Sequence, residues 1–165
     1  MKKLICLMLA AIMICALAAC TSGYNAEIYD RATDWVKEEY ILDNFDATYY
    51  GGHWKGDFTT KTLAVTSQEE FDEIFDTFPI EIDYDKEILV LYFFTETSNS
   101  YDCTITEIKN SNNELIITLK HKKNNRIGHT GASDASLPIF RCVAIKMKKI
   151  ESDNLKVDFA CERNY

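Results

Sequence analysis

Apolar and polar residues alternate most regularly in the second half of the chain. The segments "SYDCTITEIKN" (100–110) and "ELIITLKHK" (114–122) carry apolar residues at every second position, which is typical of strands with one buried face. The polar residues "SNN" (111–113) lie between them and predict a hairpin. The preceding segment "EILVLYFFT" (87–95) is apolar at both parities, which predicts a central strand with a layer packed on each side.

Other segments have clear but shorter patterns. Alternation predicts a strand over residues 60–66, a long strand over 137–149 that Pro138 opens, and a last strand over 155–161. Between the first two, Ser67 and Glu70 form a capping box before apolar residues at helical spacing. This pattern predicts a helix that begins after Ser67 and that Pro79 helps to stop.

The segment that precedes these strands is less regular. Over residues 26–45 the near-helical spacing of apolar side chains predicts an amphipathic helix; they are Ile28, Ala32, Trp35, Val36 and Tyr40. Residues 46–58 are rich in glycine and aromatics and predict turns with short extended pieces, and 124–136 predict a polar loop. The fold expected is therefore α+β, a mostly antiparallel twisted sheet with one or two helices packed on it.

The first 19 residues predict a cleaved signal peptide. Two lysines precede the uncharged run "LICLMLAAIMICALAA" (4–19), which as a helix would cover about 24 Å, less than the roughly 30 Å of a bilayer core. Small residues and a cysteine close the run, as they do in a leader peptide. We therefore expect a signal peptide over 1–19, a tether, helix and aromatic-rich turns over 20–58, and the main domain over 59–165.

The cleavage region "LAAC" (17–20) resembles the lipobox of bacterial lipoproteins. The resemblance implies that Cys20 becomes the first residue, that its thiol carries a diacylglycerol group, and that its amino group is open to further acylation. Two or three acyl chains anchor a protein stably where one does not. We therefore expect a lipid anchor in the cell membrane, with the domain on the extracytoplasmic side. The alternative is a plain secretory signal in which Cys20 is incidental.

The charge of the mature chain restricts its partners. The whole chain has 18 basic and 26 acidic residues, so removal of the two leader lysines leaves 16 basic residues and a formal charge of −10. An acidic surface repels phosphate groups, so nucleic acid and anionic lipid headgroups are poor partners.

The cysteines beyond Cys20 leave their redox state open. Cys103, Cys142 and Cys161 have no metal-ligand spacing. Their odd number allows one disulfide with one free thiol, three free thiols, or a bridge to another chain. If the apolar residues of their strands face one core, Cys142 and Cys161 point in opposite directions and form no disulfide.

Several of these segments are similar in order and spacing to the PrcB C-terminal domain family, over residues 60–150. The resemblance rests on the capping Ser67, the pair Asp83-Tyr84 before a hydrophobic strand, Tyr101 at the start of the next strand, and Pro138 at the start of a late strand. The family comprises secreted or lipid-anchored bacterial domains, and its namesake stabilises a surface subtilisin-like protease complex. The resemblance implies a non-catalytic accessory role.

Motifs for catalysis, metal or cofactor binding are missing from the sequence. His129 lies near Ser133 and Asp134, but no G-x-S-x-G frame accompanies them. The acidic pair Glu69-Glu70 falls in the first turn of a helix, where the helix dipole favours anions. We therefore expect no catalytic residue, no metal and no cofactor, while a hydrolase is the third-ranked alternative.

The aromatic-rich segment and the polar loop are the candidate contact regions. We expect another envelope or surface protein, such as a secreted protease, to contact Tyr49, Tyr50, His53, Trp54 and His129. The alternative is a small ligand or glycan that stacks on the aromatic residues of 49–54.

Overall fold

A computed structural model describes residues 25–50, 52–56, 60–96, 101–111, 114–123, 138–150 and 156–163. The signal peptide, Cys20, His129 and the loop 124–136 lie outside these residues. The elements are β1 (Glu27–Tyr29), a 3-10 helix (Ala32–Trp35), α1 (Glu38–Asn44), β2 (Thr48–Tyr50), β3 (His53–Lys55), β4 (Lys61–Val65), α2 (Gln68–Ile74), β5 (Glu87–Glu96), β6 (Tyr101–Ser111), β7 (Glu114–Lys123), β8 (Ile139–Lys148) and β9 (Lys156–Arg163).

The strands form two sheets. The larger is antiparallel with the order β2-β3-β8-β5-β4, and β1 pairs with β8 on the same edge that β3 occupies. The smaller has the order β6-β7-β9, with β7 antiparallel to β6 and parallel to β9. The expected α+β class with a mostly antiparallel sheet and helices packed on it is confirmed.

Both faces of β5 are buried, as its apolar run predicts. Its odd-numbered residues, such as Leu91 and Phe93, pack with the helices in a cluster that we call the helix-side core. Its even-numbered residues, such as Val90 and Phe94, pack against the smaller sheet in the inter-sheet core. The large sheet is therefore the middle of three layers, and β5 with its neighbour β8 forms its centre.

The hairpin of β6 and β7 supplies the smaller sheet's part of the inter-sheet core. Leu115, Ile117 and Leu119 are fully buried at period two, as the sequence predicts. The period changes in β6, where an irregularity between Ile105 and Glu107 shifts the register. A bulge of this kind turns the following side chain to the other face, and so Ile108 is buried.

The last strand pairs in a way that sequence order does not reveal. β9 follows β8 in the chain, yet its described backbone pairs in parallel with β7 in the other sheet. The structure also changes the premise used for Cys142, because β8 is buried on both faces. Cys142 is a buried free thiol in the helix-side core, and Val143 and Ile145 lie in the inter-sheet core.

Helix α2 begins as its sequence predicts but ends earlier. The Ser67 hydroxyl accepts a hydrogen bond from the Glu70 amide at 3.2 Å, and the Glu70 carboxylate accepts one from the Thr66 amide at 2.7 Å. The helix ends at Ile74 rather than at Pro79, because Phe75 is extended and forms a β-bridge with Val36.

The single helix predicted over 26–45 is wrong. The structure has β1, the 3-10 helix and the seven-residue helix α1 in this range. Residues 27–29 pair with β8, and Val36 pairs with Phe75 in extended conformation. The local spacing of apolar residues is compatible with a continuous helix, but pairing with distant residues favours extended structure at these positions.

Candidate functional site

The candidate site is a small hairpin of β2 and β3, residues 48–55, which we call the aromatic hairpin. Thr48 lies opposite Lys55, Tyr49 opposite Trp54, and Tyr50 opposite His53. The connecting residues are Gly51 and Gly52, and Gly52 has φ of +83°, a conformation that glycine adopts without strain. A two-glycine connection between strands favours the tight turn of a hairpin.

The aromatic hairpin exposes large aromatic side chains, whereas elsewhere in the described fold most large hydrophobic side chains are buried. Tyr49 is 60% exposed and Tyr50 is 72% exposed. Among the described residues, Leu42 in α1, at 53%, is the other large hydrophobic side chain with such exposure. His53 is also exposed, whereas Trp54 is partly buried against the helix-side core.

The ring geometry distinguishes the two tyrosines. Tyr49 meets the half-buried Trp54 in an edge arrangement, with ring centroids 5.4 Å apart and planes at 63°. On the opposite face of the hairpin, the Lys55 ammonium lies 5.1 Å from the centre of the Tyr50 ring. Cation–π contacts of this kind are weak at exposed sites, so the Tyr50 ring is available to a partner at small cost.

The base of the hairpin is fixed to the large sheet. Lys55 pairs with Ile139, and the Gly56 amide donates to the Pro138 carbonyl at 3.0 Å. A side chain at Gly56 would collide with the backbone carbonyl of Asp46. This close approach explains why glycine follows β3. The hydrogen bond to Pro138 and the pairing with Ile139 hold the hairpin at the start of β8.

Four of the five predicted contact residues therefore lie together. Tyr49, Tyr50, His53 and Trp54 belong to one hairpin, whereas His129 lies outside the described residues. Lys55 was missed by the sequence analysis. The "GG" dipeptide between two aromatic pairs could have predicted its place. A two-residue turn there sets a hairpin register that brings Lys55 to the same face as Tyr50.

Three ionisable groups outside the aromatic hairpin, those of Glu70, Asp83 and Cys142, have structural roles. Glu70 caps α2. The Lys86 ammonium donates a hydrogen bond to the Asp83 carboxylate in an ion pair, and this lowers the pKa of the Asp83 carboxyl. Burial raises the pKa of the Cys142 thiol well above its usual value, which disfavours the nucleophilic thiolate. Within the described ranges, no group of three or more His, Cys, Asp and Glu side chains could hold a metal ion.

Burial also raises the pKa of the phenols of Tyr29, Tyr40 and Tyr84. The pKa values of Tyr29 and Tyr84 are each about 12, with desolvation as the largest cause. Nearby carboxylates add to the effect, Glu27 at Tyr29 and Asp72 at Tyr84. The phenols of Tyr29 and Tyr84 therefore stay neutral well into the alkaline range, and both rings pack against the helix-side core.

Comparisons with family models, with curated proteins and with solved structures find no significant match to this chain. The resemblance to the PrcB C-terminal domain family therefore stays a prediction. In the part of the chain that the structure describes, no helix has the length and apolar character that a bilayer crossing requires.

Proposed function

We propose that this chain is a lipid-anchored, non-catalytic domain of the cell membrane that faces the extracytoplasmic side and binds another envelope or surface protein. The leader and the lipobox-like "LAAC" (17–20) support the anchor. The resemblance to the PrcB C-terminal domain family supports an accessory role, with a secreted protease as a possible partner. The binding surface in this proposal is the aromatic hairpin.

The observation that carries the proposal is the exposure of Tyr49 and Tyr50 on one short strand. Tyrosine offers a large, amphipathic contact area and loses little side-chain entropy on binding, which is why it is enriched at protein interfaces. The two tyrosines project from opposite faces of the fixed hairpin, so each face offers one exposed aromatic ring of this kind.

The backbone of β2 supports the same function. β2 is the last strand of the large sheet on its side, and no other described strand pairs with its outer edge. In a two-residue hairpin the closing pair exchanges both hydrogen bonds, so the N–H and C=O of Tyr49, one residue away, point outward. An extended segment of a partner could pair with this edge while its side chains contact the tyrosines.

A glycan or small ligand on residues 49–54 is the second candidate. Stacking ligands need an open aromatic face in a concave site. Trp54 packs against the core and the edge of Tyr49, and all three residues of β2 are exposed, so the rings protrude rather than line a cleft. This geometry favours a protein partner over a pocket ligand.

A crosslinking experiment with matched variants tests the proposal. A photoreactive amino acid at Thr48, in the full-length lipoprotein in intact cells, should crosslink a specific protein. The double variant Tyr49→Ser, Tyr50→Ser should lower the yield about tenfold or more, since loss of an interface hot spot costs about 2 kcal/mol.

The control is Leu42→Ser, which removes the comparably exposed side chain of α1 and should leave the crosslink yield unchanged. Circular dichroism should show that all variants fold, because their side chains are exposed. An equal yield with and without the two tyrosines would contradict a binding role for the hairpin. Saturable quenching of Trp54 fluorescence by a soluble oligosaccharide would instead favour the glycan alternative.

A further inference from the structure

We infer that the aromatic hairpin is a membrane-distal docking site, so that its occupant is a water-exposed protein domain rather than a lipid surface. The inference rests on the lipid anchor of the proposed function and specifies how the anchored domain presents its binding surface. It follows from the positions at which the N-terminal tether and the hairpin join the same strand, β8.

The tether joins the sheet near the C-terminal end of β8. Glu27 pairs with Lys146, and Ala26 already packs against the inter-sheet core. Only seven peptide steps separate Cys20 from Glu27, so they span at most about 25 Å even when fully extended. Because β1 runs antiparallel to β8, the tether enters the sheet from the end that contains Lys146, and this end is the nearer one to the anchor along the chain.

The hairpin joins the same edge of β8 at its opposite end. Lys55 pairs with Ile139, seven residues before Lys146. At about 3.4 Å per residue, the two junctions lie about 24 Å apart along the strand. Because β3 is antiparallel to β8, the hairpin runs from this junction back toward Lys146. Tyr49 and Tyr50 therefore lie one and two residue levels closer to Lys146 than Ile139 does, and they remain in the same half of β8.

A lipid surface is the competing occupant, because tyrosine and tryptophan are also enriched at membrane interfaces. Contact with lipid would require the domain to lie on its side. Residues 25–86, which include both helices and the hairpin, carry 16 acidic and 5 basic side chains. Such a surface is repelled by the anionic headgroups of bacterial membranes, which opposes that orientation.

Energy transfer to lipid tests the orientation of the domain, with donors at two exposed positions that lie at opposite ends of the large sheet along the direction of β8. Thr48 lies opposite Lys55, at the level of Ile139, and Lys148 ends β8. The acylated protein would carry a fluorescent donor on an unnatural amino acid at position 48 or at position 148. It would be reconstituted into neutral phosphatidylcholine vesicles that contain a headgroup-labelled acceptor lipid.

We expect transfer from position 148 to exceed transfer from position 48 about twofold or more, because nine residue steps of β8 separate the two levels by about 30 Å. Equal transfer, or higher transfer from position 48, would overturn the inference while leaving the anchor intact. The Tyr49→Ser, Tyr50→Ser variant should show unchanged transfer from position 48, whereas lower transfer would mean that the tyrosines hold the domain against lipid. Failure of the protein to float with the vesicles would instead contradict the proposed anchor.

Discussion

At the scale of single residues, Thr33 fills a gap in the pairing of β8. The edge of β8 pairs with β3 at Ile139 and with β1 from Ala144 onwards, and Cys142 lies between these two junctions. The Cys142 amide donates to the Thr33 hydroxyl at 2.6 Å. A side chain of the 3-10 helix thus replaces the partner strand, as a buried amide requires.

Thr33→Val should therefore lower the free energy of unfolding by about 1–3 kcal/mol, because it leaves a buried N–H without an acceptor at nearly constant volume. Thr33→Ser keeps the hydroxyl and should cost clearly less. Denaturant unfolding of the three proteins measures the difference. Equal stability of the Val and Ser variants would show that the hydrogen bond contributes nothing.

The raised pKa values of two other residues predict how the free energy of unfolding changes at alkaline pH. The pKa values of Tyr29 and Tyr84 are about 12 in the fold, against about 10 in an unfolded chain. Between these values the unfolded state loses protons that the folded state keeps, so stability falls as the pH rises from 10 to 12. Thermal melts should show this loss, and Tyr84→Phe should make it smaller. An identical loss in the variant would contradict the assignment to Tyr84.

At the scale of elements, helix α2 depends on its N-terminal cap. It has only seven residues, and isolated helices of this length are unstable in water. Ser67→Ala removes the acceptor for the Glu70 amide and should cost about 1 kcal/mol, whereas Ser67→Asp should retain most of the stability. Denaturant midpoints of the two variants provide the measurement, and a cost from Asp equal to that from Ala would argue against capping.

The elements also show where sequence reasoning succeeds and where it fails. The double-sided burial of β5 and the period-two burial of Leu115, Ile117 and Leu119 follow from side-chain patterns alone. The helix expected over 26–45 fails because the pairing of β1 with β8 depends on residues more than 110 positions away. The parallel pairing of β9 with β7 is equally non-local, and no local pattern encodes it.

The candidate site was predictable to a similar extent. The aromatic residues and the glycine pair of 49–54 indicate a turn with short extended pieces, and the structure confirms it. Which aromatic side chains are exposed was not predictable, because Trp54 is partly buried only through its contact with the helix-side core. The sequence therefore identifies the segment, and the packing of the hairpin base identifies Tyr49 and Tyr50 as the accessible rings.

At the scale of the whole molecule, the residues that form the cores differ from those that form the proposed binding surface. The two cores on either side of the large sheet account for most of the buried hydrophobic residues. The aromatic hairpin lies at the edge of that sheet and contributes only Trp54 to a core. Substitution of its exposed tyrosines should consequently change partner binding without unfolding the domain, which is the property expected of a surface grafted on a stable scaffold.

We propose that this acidic domain works outside the cytoplasm on a lipid anchor at Cys20. The most direct measurement is the intact mass of the native protein, recovered separately from the membrane and soluble fractions of its host. We expect a membrane-bound chain that begins at Cys20 and carries a diacylglycerol group, with or without a further acyl chain. A soluble product that begins at Met1 and carries no lipid would contradict it.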